Sequence, residues 1–250
     1  MIEVITSFNQ IYYDLIGKDS VSTFLEYWPK NLSITCYVEG FSLPDTQSRI
    51  HQVDFAELGT EYQQYQLDTA LDQSMKKFAK KAYSFMHAMH HSKADWIFWL
   101  DADVITMQTL HIELLERVLR PGDLAMYMGV RYVTNKSGAA GDWLVPETGI
   151  FAVNTRHPAF EAFRTEYCRR YNQRDYADLR RFYDNDVFGA AINSVPNASV
   201  LDLCANFSKA YKTPLRHTVL GDNLVHHKAK HSKAVYVGGN VDAIAATDND

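Results

Sequence analysis

The chain has 250 residues, of which 46% are hydrophobic and 22% charged, with a net charge of −5 and 3 cysteines. That length fits one α/β domain, or one domain with a small appendage, and the apolar content supports a sizeable core. The acidic balance and the lack of a long basic run exclude a broad nucleic-acid footprint.

No stretch reaches the roughly 20 apolar residues that a membrane helix needs. The first residues, Met-Ile-Glu-Val-Ile-Thr-Ser, are strand-like and carry neither a basic n-region nor an apolar h-region, so no signal peptide is expected. Cys36, Cys168 and Cys204 are widely spaced with no CxxC pair. They are expected to be reduced thiols, mostly buried, in a cytoplasmic protein.

In chain order, residues 2–8 read as a first strand. Residues 9–15, with Tyr12 and Tyr13, lead into a helix around 19–28 that Pro29 stops. Residues 32–38 and 50–55 read as strands two and three. The periodicity of Leu67, Leu71, Met75, Phe78, Ala79, Ala82, Phe85, Met86 and Met89 predicts one long helix over 67–91. The run Trp96-Ile-Phe-Trp-Leu100 is unbroken and rich in β-formers, which predicts a fully buried central strand. Strands alternating with helices imply a mostly parallel, doubly wound sheet flanked by helices.

The second half predicts a helix at 110–118, a strand at 124–133, a strand at 149–153, a helix at 158–171, a helix from 184 to 192, and short strands at 200–203 and 224–227. Residues 134–142, small and polar with two glycines, are expected to be mobile. With Trp143 as an apolar platform they would close over a ligand. The expected organisation is a single unit, with one half at 1–105, a second at 106–240 and a frayed tail at 241–250.

Two carboxylates, Asp101 and Asp103, follow the buried run directly. Open α/β sheets bind ligands beyond the carboxyl ends of their strands. Acids delivered to that edge can hold a hard divalent cation, Mn²⁺ or Mg²⁺, which in turn neutralises a departing diphosphate. Asp103, further out, is the stronger candidate for direct ligation, and Asp101 could act through water or touch ribose or sugar. Late in the chain stands His226-His227-Lys228-Ala229-Lys230-His231-Ser232-Lys233. A histidine from this segment would complete a metal site, and the lysines could grip phosphate oxygens. A one-residue slip would exchange His226 for His227. Read structurally instead, the acids cap a helix and the basic segment is a solvated loop.

These motifs, in this order, resemble retaining glycosyltransferases of the GT-A (nucleotide-diphospho-sugar transferase) fold. The likeness is to the family-eight and galactosyl, mannosyl and xylosyl group, with their DxD motif. The resemblance implies transfer of a sugar from a nucleoside diphosphate sugar, such as a UDP-sugar, to a hydroxyl of a glycan or small-molecule acceptor. It implies Asp101, Asp103 and His226 as metal ligands, and Lys230 or Lys233 at the diphosphate. His227 and Ala229 stand where that family's late motif usually has an aromatic and a glycine.

Glu147-Thr148-Gly149 is similar to the family's Asn-x-Gly. By that likeness Gly149 lets the backbone approach the donor sugar and Glu147 bonds a sugar hydroxyl. Tyr183-Asp184-Asn185-Asp186 is similar to a segment facing the reacting carbon, so Asp184 or Asp186 would stabilise charge there or deprotonate the acceptor. Asp184 is equally a helix N-cap. Thr6, Ser7 and Asn9, at the end of strand one, would meet the nucleoside, with Tyr12 or Tyr13 stacked on the base. Lys76, Lys77, Lys80 and Lys81 read as a solvated face from which one lysine could reach the nucleotide.

The competing readings are a haloacid-dehalogenase-like phosphatase, a sugar-nucleotide pyrophosphorylase and a non-catalytic carbohydrate- or nucleotide-binding protein. The first lacks a following Gly-Asp-x-x-x-Asp, and the second lacks a glycine-rich loop after strand one.

Overall fold

The structure is a computed structural model, and it describes residues 1–44, 47–133, 143–179, 182–205 and 214–227. The expected mobile segment at 134–142, the lysines Lys230 and Lys233 and the tail at 241–250 lie outside the described residues.

Strand β1 (Ile2–Asn9) runs into helix α1 (Gln10–Tyr12), a π-helical turn at Tyr13–Gly17, and helix α2 (Lys18–Tyr27). Asn9 caps this run by accepting from the Tyr12 N–H at 2.9 Å. Then follow β2 (Ile34–Glu39), β3 (Ile50–Asp54), α3 (Thr60–Leu67), α4 (Gln73–His91), β4 (Trp96–Leu100), β5 (Val104–Thr106) and α5 (Ile112–Val118). The second half contains β6 (Ala125–Tyr127), β7 (Val130–Val133), β8 (Trp143–Pro146), β9 (Ile150–Asn154), α6 (Phe160–Asn172), α7 (Asp184–Asn193), β10 (Val200–Asp202) and β11 (Leu224–His226).

Among the described residues the central sheet has 7 strands in the order β10-β6-β9-β4-β1-β2-β3. The contacts β1–β2, β1–β4, β2–β3 and β6–β10 are parallel. The mostly parallel sheet was expected, but β9 enters antiparallel to both β4 and β6. Two antiparallel pairs, β5–β11 and β7–β8, stand beside the main sheet.

Period-two alternation sends successive strand residues into two cores. Ile5, Ile97, Trp99, Phe151 and Val153 pack with α3, α4, α6 and α7 on one face. Val4, Phe98, Leu100, Ile150 and Ala152 pack with α2 and α5 on the other. All five residues of β4 are buried, as its apolar run predicts.

The structure corrects two local expectations and adds one strand. The helix predicted over 67–91 is two helices, because Asp68 accepts from the Ala70 N–H and Asp72 caps α4 by accepting from the Met75 N–H, both at 2.8 Å. Leu67 therefore ends α3 and is 78% exposed. The strand predicted over 124–133 breaks into β6 and β7 at Gly129, whose φ is +145°, and a Cβ there would lie 2.7 Å from Cys204 Cβ. The short strand β5 follows the acidic pair so closely that no periodicity reveals it. No described helix is long and apolar enough to cross a membrane.

Chain reversal lies between β2 and β4, on either side of β1, and ligands of open α/β sheets bind at such a switch point. The split of the predicted helix has a measurable consequence. Leu67→Ala should change stability by no more than about 0.5 kcal/mol. Phe85→Ala, at a fully buried position on α4, should cost about 3–5 kcal/mol. Urea denaturation of the two variants checks the contrast.

Candidate functional site

Beyond Leu100 the chain turns sharply. The Asp101 N–H donates to the Gly149 carbonyl at 2.8 Å, and the Val104 N–H donates back to the Asp101 carbonyl at 3.0 Å. Strand β11 lies antiparallel on β5 with His226 opposite Val104, and the His227 N–H donates to the Asp103 carbonyl at 2.8 Å. This register aims the His226 ring at the acids: Nε2 is 3.2 Å from Asp103 Oδ1 and 3.9 Å from Asp101 Oδ2. One donor atom each from Asp101, Asp103 and His226 fall within 4.8 Å of one another.

Gly149 makes room for the imidazole, since a Cβ there would come within 2.6 Å of His226 Cε1 and 2.8 Å of Met128 Cε. In this structure the glycine's close neighbour is a site side chain.

The floor of the site is held by Lys81, which α4 delivers from beneath. Its ammonium donates to Asp101 Oδ1 at 2.8 Å and to the Thr148 carbonyl at 2.6 Å, and pairs with Asp184 Oδ2 at 3.0 Å. Thr148 donates its hydroxyl to the same Asp184 oxygen at 2.6 Å. Trp99 Nε1 donates to Asp101 Oδ1 at 2.6 Å. Lys81 is thus the one of the four α4 lysines that is built into the site, while Lys80 pairs with Glu39 at the rim. The sequence reads the four as a solvated face from which one could reach the nucleotide, without indicating which. The only signal for Lys81 was its place among the buried positions Ala82 and Phe85.

A cleft of about 650 Å³ opens above this floor. Ser7, Asn9, Tyr12, Asp101, Asp103, Glu147 and Asp184 line it, together with Lys77, Phe78, Tyr183 and Asn185. Of the remaining candidates, Thr6 is buried and does not line the cleft. Tyr12 faces the acids, whereas Tyr13 packs against Phe8 and Phe41. Asp186 lines a separate cavity behind α7, with Arg170, Asp178 and Asn193. Asp184 is not a cap: the residue before the helix is Tyr183, and the Asp184 side chain turns to Lys81.

Burial pushes the Asp101 carboxyl up, and although Lys81 and His226 oppose the shift, the neighbouring Asp103 and Asp184 charges keep it raised. Burial would also raise Asp184, but Lys81 and the Thr148 hydroxyl outweigh it and hold that carboxyl below its usual range. Burial would lower Lys81, yet Asp101 and Asp184 raise it to about 12. Burial would lower His226, but the hydrogen bond that its ring N–H donates to Asp103 and the acid charges leave it raised. Tyr12 is raised by burial and then by Asp103 and Asp101. Two carboxylate oxygens and one imidazole nitrogen, close together, form a donor set that fits Mn²⁺ or Mg²⁺ with positions left for a ligand.

No known protein family profile matches the chain, and no curated protein matches it by sequence. Solved structures do. Mouse xyloside xylosyltransferase 1 aligns at TM-score 0.53 and 11% identity over 91% of this chain and 98% of that one. The galactosyltransferase LgtC, solved with donor and acceptor sugar analogues, aligns at 0.50 and 13% over 88% and 83%. The bifunctional glycosyltransferase WbbM aligns at 0.51 and 16% over 82% of this chain. The chain spans only 39% of WbbM, and under half of two others among these matches. The fold is therefore the GT-A fold, as the sequence motifs led one to expect.

Two predictions follow from the geometry. Gly149→Ala should cost about 1–3 kcal/mol through overpacking and should push His226 away from the acids; chemical denaturation with an NMR titration of the His226 imidazole checks both. Asp184 has a depressed folded pKa. Its stabilising contribution is therefore complete above the unfolded value, near 4, and is lost as pH falls through the lower folded value. Asp184→Asn should remove that acid-side loss, so urea midpoints followed from pH 7 to pH 2 should fall more steeply below pH 4 in the parent than in the variant.

Proposed function

We propose that the protein is a metal-dependent glycosyltransferase that moves a sugar from a nucleoside diphosphate sugar to a hydroxyl of a glycan or small-molecule acceptor. The observation that carries this reading is the Asp101, Asp103 and His226 cluster at the carboxyl edge of β4, beside the switch point of a GT-A fold. Residues 1–105 supply the donor side of the cleft, and residues 106–240 supply His226, Glu147 and Asp184. Asp101, Asp103 and His226 would hold Mn²⁺ or Mg²⁺. When bound, the ion would neutralise charge on the departing diphosphate.

The protein's own groups have separable tasks. Ser7, Asn9 and Tyr12 bind the nucleoside at the end of β1. Phe78 and Tyr183, with ring centroids 4.4 Å apart, form an apolar wall that excludes water. Glu147, on the same cleft, accepts from sugar hydroxyls. Asp184, held anionic by Lys81 and Thr148, is a weak base at neutral pH. It suits electrostatic stabilisation of positive charge at the sugar carbon better than deprotonation of the acceptor. That role favours retention of configuration. Asp186 stands in a different cavity and carries no part of this step. Lys230 and Lys233 stay candidates for the diphosphate by the sequence resemblance alone.

Incubation with a panel of sugar nucleotides and Mn²⁺ should release nucleoside diphosphate slowly even without acceptor. Absence of binding and turnover across the panel would sink the proposal. Turnover of a generic aryl phosphate would favour the phosphatase reading. Asp103→Ala should abolish Mn²⁺-dependent nucleotide binding by calorimetry while leaving the unfolding transition in place, because Asp103 lies at the sheet edge outside both cores.

A further inference from the structure

The Asp101 carboxylate has two oxygens in unlike surroundings. Oδ1 takes two charge-assisted or buried donors, the Lys81 ammonium at 2.8 Å and the Trp99 indole N–H at 2.6 Å. Oδ2 is the oxygen on the His226 side, 3.9 Å from Nε2. The indole itself has no freedom to leave. Trp99 is 1% exposed and lies nearly parallel to Phe151, at 10° between rings and 6.1 Å between centroids, with the Lys81 ammonium 5.0 Å above its own ring. Trp99 and Asp101 are two apart along the chain at the end of β4, so both side chains project to the same side and the contact is built into the strand.

We propose that Trp99 is a positioning residue that, with Lys81, occupies Oδ1 of Asp101 and restricts that carboxylate to ligation of a metal ion through Oδ2 alone. This inference rests on the reading of Asp101, Asp103 and His226 as a metal site. Its consequence is selectivity. A carboxylate confined to one oxygen, beside Asp103 and one imidazole nitrogen, suits a compact six-coordinate ion such as Mn²⁺. Ca²⁺ takes six to eight oxygens and gains from a carboxylate that can grip with both. Removing the indole donor leaves Oδ1 held by Lys81 alone and so loosens its hold against rotation toward the ion.

The test is calorimetric titration of the full chain with Mn²⁺ and, separately, Ca²⁺. It compares the parent, Trp99→Phe, and a form with β-(3-benzothienyl)alanine at position 99, which keeps the bicyclic shape and lacks the N–H. Loss of an outer hydrogen bond to a ligand typically costs 10–100-fold in metal affinity. Mn²⁺ affinity should fall about tenfold or more in both forms, with Ca²⁺ affinity unchanged or tighter, so that the Mn²⁺/Ca²⁺ preference narrows by about the same factor. Unchanged affinities would overturn the proposal. So would equal weakening for both ions, which is what simple loss of packing produces. A parent protein that binds neither ion would overturn the metal-site reading along with the inference. A parent that binds Mn²⁺ with an unaltered preference in the variants would overturn the inference alone.

Discussion

Asp101, Asp103 and Asp184 converge at one edge of the sheet, and the Lys81 ammonium beneath them makes that convergence tolerable. Buried like charges repel strongly where water is excluded, and removing one partner from a buried ion pair costs roughly 3–5 kcal/mol because the remaining charge is uncompensated. Lys81 meets two of the three acids and a backbone carbonyl at once. It therefore ties α4 to the end of β4 and to the first turn of α7. His226 answers the third acid, Asp103, from the end of β11. Each charged group thus faces at least one opposite charge or hydrogen-bond partner, which is the condition for keeping buried polar groups in a stable fold.

The sheet topology supplies the points at which these groups meet. The antiparallel insertion of β9 puts Thr148 and Gly149, just before it, against the turn that carries Asp101. Gly149 then leaves the space that the His226 ring fills. The β5–β11 pair sets which of two adjacent histidines faces the acids, because neighbouring strand residues point to opposite sides. A short ladder of three residue pairs thus decides the chemistry of the site.

The same geometry bears on the competing chemistries. A nucleophilic aspartate needs an oxygen free to attack, and Asp101 has one oxygen saturated by Lys81 and Trp99 and the other turned to His226. That arrangement suits a ligand to a cation better than a phosphoryl acceptor. The division between Asp184 and Asp186 has a similar origin. Two residues apart on a helix, they diverge by about 200° around its axis, so one faces the cleft and the other a cavity behind it.

Much of this protein was legible in the chain itself. The apolar run Trp96–Leu100 could only be a buried strand, and the acids after it could only stand at a strand end, where α/β proteins bind ligands. The helix at 73–91 was written in its periodicity, although the two aspartates that split it from residue 67 were not recognised as caps. What the chain could not reveal were relations between distant segments. These include which of four lysines comes inside, which of two histidines turns to the acids, that β9 runs antiparallel, and that Gly149 yields space to a ring from β11. Local pattern reflects short-range backbone preference and burial, and a sequence displays both directly. Charge pairing and steric fit depend on which surfaces the folded chain brings within a few ångströms, and only the tertiary structure decides that.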